Sequence, residues 1–97
     1  MAGFVQIVQF QASDIDAIEE VGDRMREALG ADMAVLRSTV SEDRDRVGHF
    51  MIVAEFDSYE SAMKQSNDPR MGGFADEMAA LVEGPVTFYN LDVKHEM

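Results

Sequence analysis

Three strand-length runs in this chain carry large apolar side chains at both odd and even positions, and that pattern limits what the chain can become. In the first, Phe4, Val8 and Phe10 alternate with Val5 and Ile7. Further on, Phe50, Ile52 and Phe56 alternate with Met51 and Val53, and near the C-terminus Val86 and Phe88 alternate with Tyr89, Leu91 and Val93. A sheet with one face in water would read as a clean apolar-polar alternation, so both faces of a sheet built from these strands need cover.

The order of elements shows where that cover can come from. Gly3 to Gln11 reads as the first strand, ending before Ser13-Asp14, which can start a helix. Ile15, Ile18, Gly22, Met25 and Leu29 then recur at steps of three and four with charge between them, so an amphipathic helix is predicted. Ser13 with Asp16 resembles its capping box, and Gly30 is its stop. Met33 to Ser41 is the second strand, with Met33, Val35, Arg37 and Thr39 on one side and Ala34, Leu36, Ser38 and Val40 on the other. The charged run Glu42 to Arg46, closed by Gly48, is a solvated hairpin tip, and His49 to Phe56 is the third strand.

Asp57 and Glu60 have capping-box spacing ahead of a helix containing Tyr59, Ala62 and Met63. Asn67-Asp68-Pro69 interrupts it, and a second helical segment begins near Arg70, with Met71, Phe74, Met78 and Leu81 in step. Gly84-Pro85 is its expected end, and Val86 to Val93 is the last strand.

The reading is therefore one α+β domain over residues 1–97, a ferredoxin-like βαββαβ antiparallel sheet with its helices on one face. The other face has no cover from the same chain. The 97 residues bury only about three fifths to two thirds of their unfolded surface, and with no cysteine there is no disulfide to compensate. Leaving several large side chains wet would cost about 1.5 to 3 kcal/mol each. A two-fold homodimer packing sheet on sheet covers both open faces with one self-complementary surface.

The net charge of −11 repels phosphate backbones and anionic lipid surfaces, so neither nucleic acid nor membrane is an expected partner. The run from Met1 to Phe10 lacks a basic start and is broken by Gln6 and Gln9, so it reads as a strand and a cytoplasmic location is expected. Eight methionines point first to the filling of irregular gaps in the core.

With this pattern in place, the chain resembles the dimeric α/β-barrel superfamily that includes the antibiotic-biosynthesis-monooxygenase-like proteins, and most closely its small uncharacterised members. The likeness rests on the element order, on FMIVAEFDSYESAMKQSNDP (Phe50 to Pro69) and on EGPVTFYNLDV (Glu83 to Val93). It implies a ligand cavity between helices and sheet, and a range of activities: cofactor-independent oxygenases, haem-degrading enzymes and isomerases. The haem-degrading branch relies on a tryptophan, a histidine on the helix after the third strand and an asparagine on the first strand. This chain has no tryptophan, no histidine between Asp57 and Val82, and Gln6 and Gln9 on its first strand.

Polar groups inside apolar strands need partners when buried, and Gln6, Arg37, His49 and Asn90 are of this kind. They are the candidate ligand-binding residues. Backbone or a partner subunit could serve Asn90 instead; a carboxylate could pair with Arg37; and His49 could sit on the rim of the charged hairpin. Gly22 lies on the apolar stripe of its helix, where glycine costs about 1 kcal/mol relative to alanine, either for close packing on the sheet or for ligand room. Tyr59 and Tyr89 could stack on an aromatic ligand or belong to the core.

No metal site is expected, since His49 and His95 lie 46 positions apart with no ligand motif beside them. No cofactor is expected, and the catalytic residues stay unassigned, as no nucleophile elbow, phosphate loop or dinucleotide fingerprint occurs. The expected function is binding of a small apolar or aromatic molecule, with oxygenase or isomerase chemistry. The competing expectation is a non-catalytic binding or assembly module whose interior is filled by its own side chains.

Overall fold

The computed structural model describes residues 2–97; Met1, the first residue of the run read as a strand, lies outside them. The elements are β1 (Phe4–Gln11), α1 (Ile15–Leu29), a 3₁₀ turn (Gly30–Asp32), β2 (Val35–Glu42), β3 (His49–Phe56), α2 (Tyr59–Ser66), α3 (Met71–Leu81) and β4 (Glu83–Asp92). The sheet is antiparallel in the order β2-β3-β1-β4, the ferredoxin-like arrangement expected from the sequence.

The helices lie on one face. Phe10 and Phe50 meet Ile18 of α1, with Met78 and Leu81 of α3 packed alongside, while Phe4 and Phe56 meet Ala62 of α2. Register then assigns the remaining residues. Val5, Ile7 and Gln9 lie opposite Glu55, Val53 and Met51 on one side and Leu91, Tyr89 and Thr87 on the other, and all project away from the helices. Met51, Tyr89 and Leu91 of this open face are exposed, as the two-sided apolar strands require of an isolated copy. Among the described residues no helix is long and apolar enough to cross a membrane.

Four local expectations shift. The cap of α1 is Asp14, whose side chain accepts from the Ala17 N–H at 3.1 Å, not Ser13. The cap of α2 is Ser58, whose Oγ accepts from the Ser61 N–H at 3.1 Å, not Asp57. In both cases two adjacent residues could cap, and the one followed immediately by helical backbone does so. α3 stops at Leu81, and β4 begins at Glu83, before Gly84-Pro85. Pro85 is tolerated because β4 is an edge strand, and Gly84, at φ 72°, lies where the β1–β4 register shifts.

The fourth shift changes which residues share a face. A bulge between Val35 and Arg37 breaks the alternation of β2, placing Val35 against Phe56 on the helix side and Arg37, Thr39 and Ser41 on the open face. The grouping of Val35 with Arg37 is thereby corrected.

Arg70 ties the start of α3 to the end of α1. It donates to both Asp68 carboxylate oxygens, at 3.0 and 2.7 Å, to Asp32 at 3.1 Å and to the Ala28 carbonyl at 3.2 Å. The guanidinium and the Arg70 backbone N–H together lower the Asp68 carboxyl from 3.8 to about 2. A carboxylate lowered on folding stabilises the native state above its ordinary pKa and loses that contribution as pH falls towards 2. Urea midpoints of the native protein are therefore expected to fall more steeply between pH 4 and pH 2 than those of Asp68→Asn. The pair is exposed to solvent, so the difference is small; parallel curves would remove Asp68 from the account of acid stability.

Candidate functional site

The helix face of the sheet is not filled throughout. Between it and the helices lies a half-enclosed cleft of about 380 Å³. Gln6, Val8, Ser38, Val40, Ile52 and Ala54 form its sheet wall, and α1 and α3 supply Ile18, Gly22, Met25, Met71 and Met78. Helix spacing places Ile18, Gly22 and Met25 on one stripe of α1, and strand alternation places Gln6 beside Val8 on the helix side of β1. The lining is predominantly apolar, with the neutral Gln6, Ser38 and Gln65 and, on α1, the charged Glu19, Asp23 and Arg26, the mix of apolar wall and few polar groups found in small-molecule sites.

Gly22 faces open space. A Cβ built there would meet nothing within 4 Å, so close packing on the sheet, one of the two explanations for this glycine, is not the reason for it. Gly22→Ala is expected to stabilise the protein by about 1 kcal/mol through helix propensity, read as a raised urea midpoint. A destabilised variant would mean that α1 sits closer to the sheet.

The four candidate polar residues divide between two faces. Gln6 and Asn90 come together on the helix side of neighbouring strands, where Gln6 Nε2 donates to Asn90 Oδ1 at 3.0 Å. Among the described residues the Gln6 side-chain oxygen Oε1 accepts no hydrogen bond from the protein, and Gln6 borders the cleft. Arg37 lies on the open face, mostly exposed, with its Nε 3.9 Å from Glu55. His49 also faces away from the cleft, at the start of β3, beside a depression of about 200 Å³ that includes Gln9, Ser41 and Arg46.

Of the two tyrosines, Tyr59 is edge-on to Phe4 at 5.3 Å and so belongs to the core margin. Tyr89 lies on the open face, where its hydroxyl donates to Gln9 at 3.3 Å. Neither lines the cleft. Sequence reasoning missed Ser38 and Gln65 as lining residues. The β2 bulge turns Ser38 inward, and Gln65 is brought in by its bond to the Ala34 N–H at 2.6 Å; neither has a local sequence signal. Among the described residues no cluster of three or more histidine, cysteine or acidic side chains could hold a metal ion.

Comparison of the whole fold with solved structures gives matches across nearly all of the chain. SnoaB, a cofactor-independent oxygenase from Streptomyces nogalater, superposes with a TM-score of 0.81 at 13% identity, covering 100% of this chain and 98% of SnoaB. The chain has the antibiotic biosynthesis monooxygenase-like fold. A candidate monooxygenase of that name from Deinococcus radiodurans shares this fold with a TM-score of 0.75 at 18% identity, over 97% of this chain and 95% of its own. A conserved protein from Methanosarcina mazei gives 0.80 at 7% identity, over 97% and 95%. No protein-family model matches the sequence, and no curated protein matches it by sequence. At these identities the antibiotic biosynthesis monooxygenase-like fold is what is shared, and chemistry has to be argued from the site.

Proposed function

We propose that two copies of the chain associate through their open faces and that each holds a small apolar or aromatic ligand in its cleft, acting as an oxygenase or isomerase without metal or organic cofactor. The observation that carries this reading is the unfilled cleft opposite Gly22, with the Gln6–Asn90 amide pair at its margin. An apolar cleft needs few catalytic side chains when the ligand supplies its own reactivity. It acts by holding the ligand in one orientation and keeping water from it.

The Gln6 side-chain oxygen Oε1 is suited to accept a hydrogen bond from a ligand hydroxyl, and the Asn90 amide holds Gln6 in place for this. The description of SnoaB as a cofactor-independent oxygenase supports the reading at the level of a shared fold. Arg37 and His49 face away from the cleft, and a role for them in ligand binding belongs to the paired assembly. An assembly module with a filled interior is disfavoured by the same cleft.

Native mass spectrometry of the purified protein tests the reading. A retained small molecule is expected in the wild-type protein and lost in Gly22→Leu, whose side chain would occupy the cleft. Retention undiminished in that variant would place the ligand elsewhere.

A further inference from the structure

The charges around the cleft bear on which molecules it accepts. Glu19 and Asp23 are four residues apart on α1, so they project from the same side of the helix, flanking Gly22 at the cleft rim. Both are exposed and retain their hydration. Arg26 is the single cation among the described lining residues, and its Nη1 lies 3.9 Å from Asp23. The neighbouring Arg24 is engaged by Glu77 through two hydrogen bonds, at 3.2 and 2.7 Å. The other polar lining groups are neutral: Gln6 and Gln65, which are half-buried, and Ser38, which is exposed. No charged side chain is buried anywhere among the described residues.

From this arrangement we infer that the cleft selects by charge: it takes apolar molecules with a neutral or cationic head and rejects the same bodies carrying a carboxylate. The inference rests on the ligand-binding reading of the cleft and adds the substrate class. A carboxylate drawn inside would lose its hydration with no buried cation to replace it. Held at the rim, it would compete with Asp23 for Arg26 while standing beside Glu19. An ammonium head left at the rim stays hydrated and meets two carboxylates against the one cation Arg26, a net attraction that added salt weakens. The net charge of −11 acts in the same direction at longer range.

The test is calorimetric titration at pH 7 and low salt with matched probes. 2-Naphthylethylamine, 2-naphthylethanol and 2-naphthylacetate form one set; octylamine, octanol and octanoate form another. Within each set the acid is expected to bind at least about tenfold more weakly than the alcohol, and the amine at least as tightly as the alcohol. In the double variant Glu19→Gln, Asp23→Asn the ratio of amine to alcohol affinity is expected to fall towards one; as a ratio within one protein, it cancels any general damage to the cleft.

An acid that binds as well as its alcohol would overturn the selectivity while leaving the cleft as a binding site. An amine preference untouched by the double variant would overturn the role given to the rim. If no member of either set binds, the ligand-binding reading fails and the selectivity fails with it.

Discussion

Phe4→Ala is expected to cost about 3 to 5 kcal/mol of stability, enough to leave this small domain barely folded. Phe4 is 1% exposed, its ring 6.1 Å from Phe56 and 5.3 Å from Tyr59, at the end of the core closed by α2. The site cannot collapse around a smaller side chain, because the backbone on both sides is pinned. The Gly3 N–H donates to the Phe56 carbonyl at 2.9 Å and the Val93 N–H to the Gly3 carbonyl at 3.0 Å. A Cβ on Gly3 would collide with the Asp57 carbonyl oxygen, so the neighbouring chain is already at closest approach. Urea denaturation at one fixed protein concentration measures the effect, with Val47→Ala, at a residue 90% exposed, expected to lie within about 0.5 kcal/mol of wild type. A loss below about 1 kcal/mol for Phe4→Ala would show that the packing around Phe4 contributes far less than its burial implies.

Ile7→Lys is expected to abolish association. Ile7 is at the centre of the open face, between Val53 on β3 and Tyr89 on β4. In a two-fold pairing its substitution brings two lysines into one apolar interface, where an unpaired ammonium is costly to desolvate. Sedimentation at micromolar concentration should show wild type at twice 10.8 kDa and the variant either at 10.8 kDa or unfolded. Far-ultraviolet circular dichroism separates those two forms of failure. A folded wild-type protein that sediments only at 10.8 kDa would remove the dimer from the proposal.

The fold was legible from the strands and helices because each is long enough for its period to show. β3 matches its expected bounds of His49 to Phe56, and Gly30 terminates α1 as anticipated. What the chain order could not reveal were one-residue choices, such as Asp14 over Ser13, and the β2 bulge, which depends on the register that β3 imposes. The candidate site was half legible. Gln6 and Asn90 stood out as polar groups in apolar strands, but their bond spans 84 positions and exists only because β1 and β4 are neighbours. Arg37 and His49 stood out for the same reason, and register placed both on the opposite side of the sheet. Gly22 was recognised as costly; only three-dimensional space distinguished a vacancy from a tight contact.

The bulge in β2 and Pro85 in β4 fall on the two outermost strands of the sheet. A strand at such a boundary offers unmatched amide and carbonyl groups to any passing chain, and irregular backbone or a residue without an N–H spoils that template. Lateral growth of one sheet onto another is thereby discouraged at both ends. A chain with an apolar open face thus carries irregular backbone at both edges of its sheet, where an added strand would have to dock.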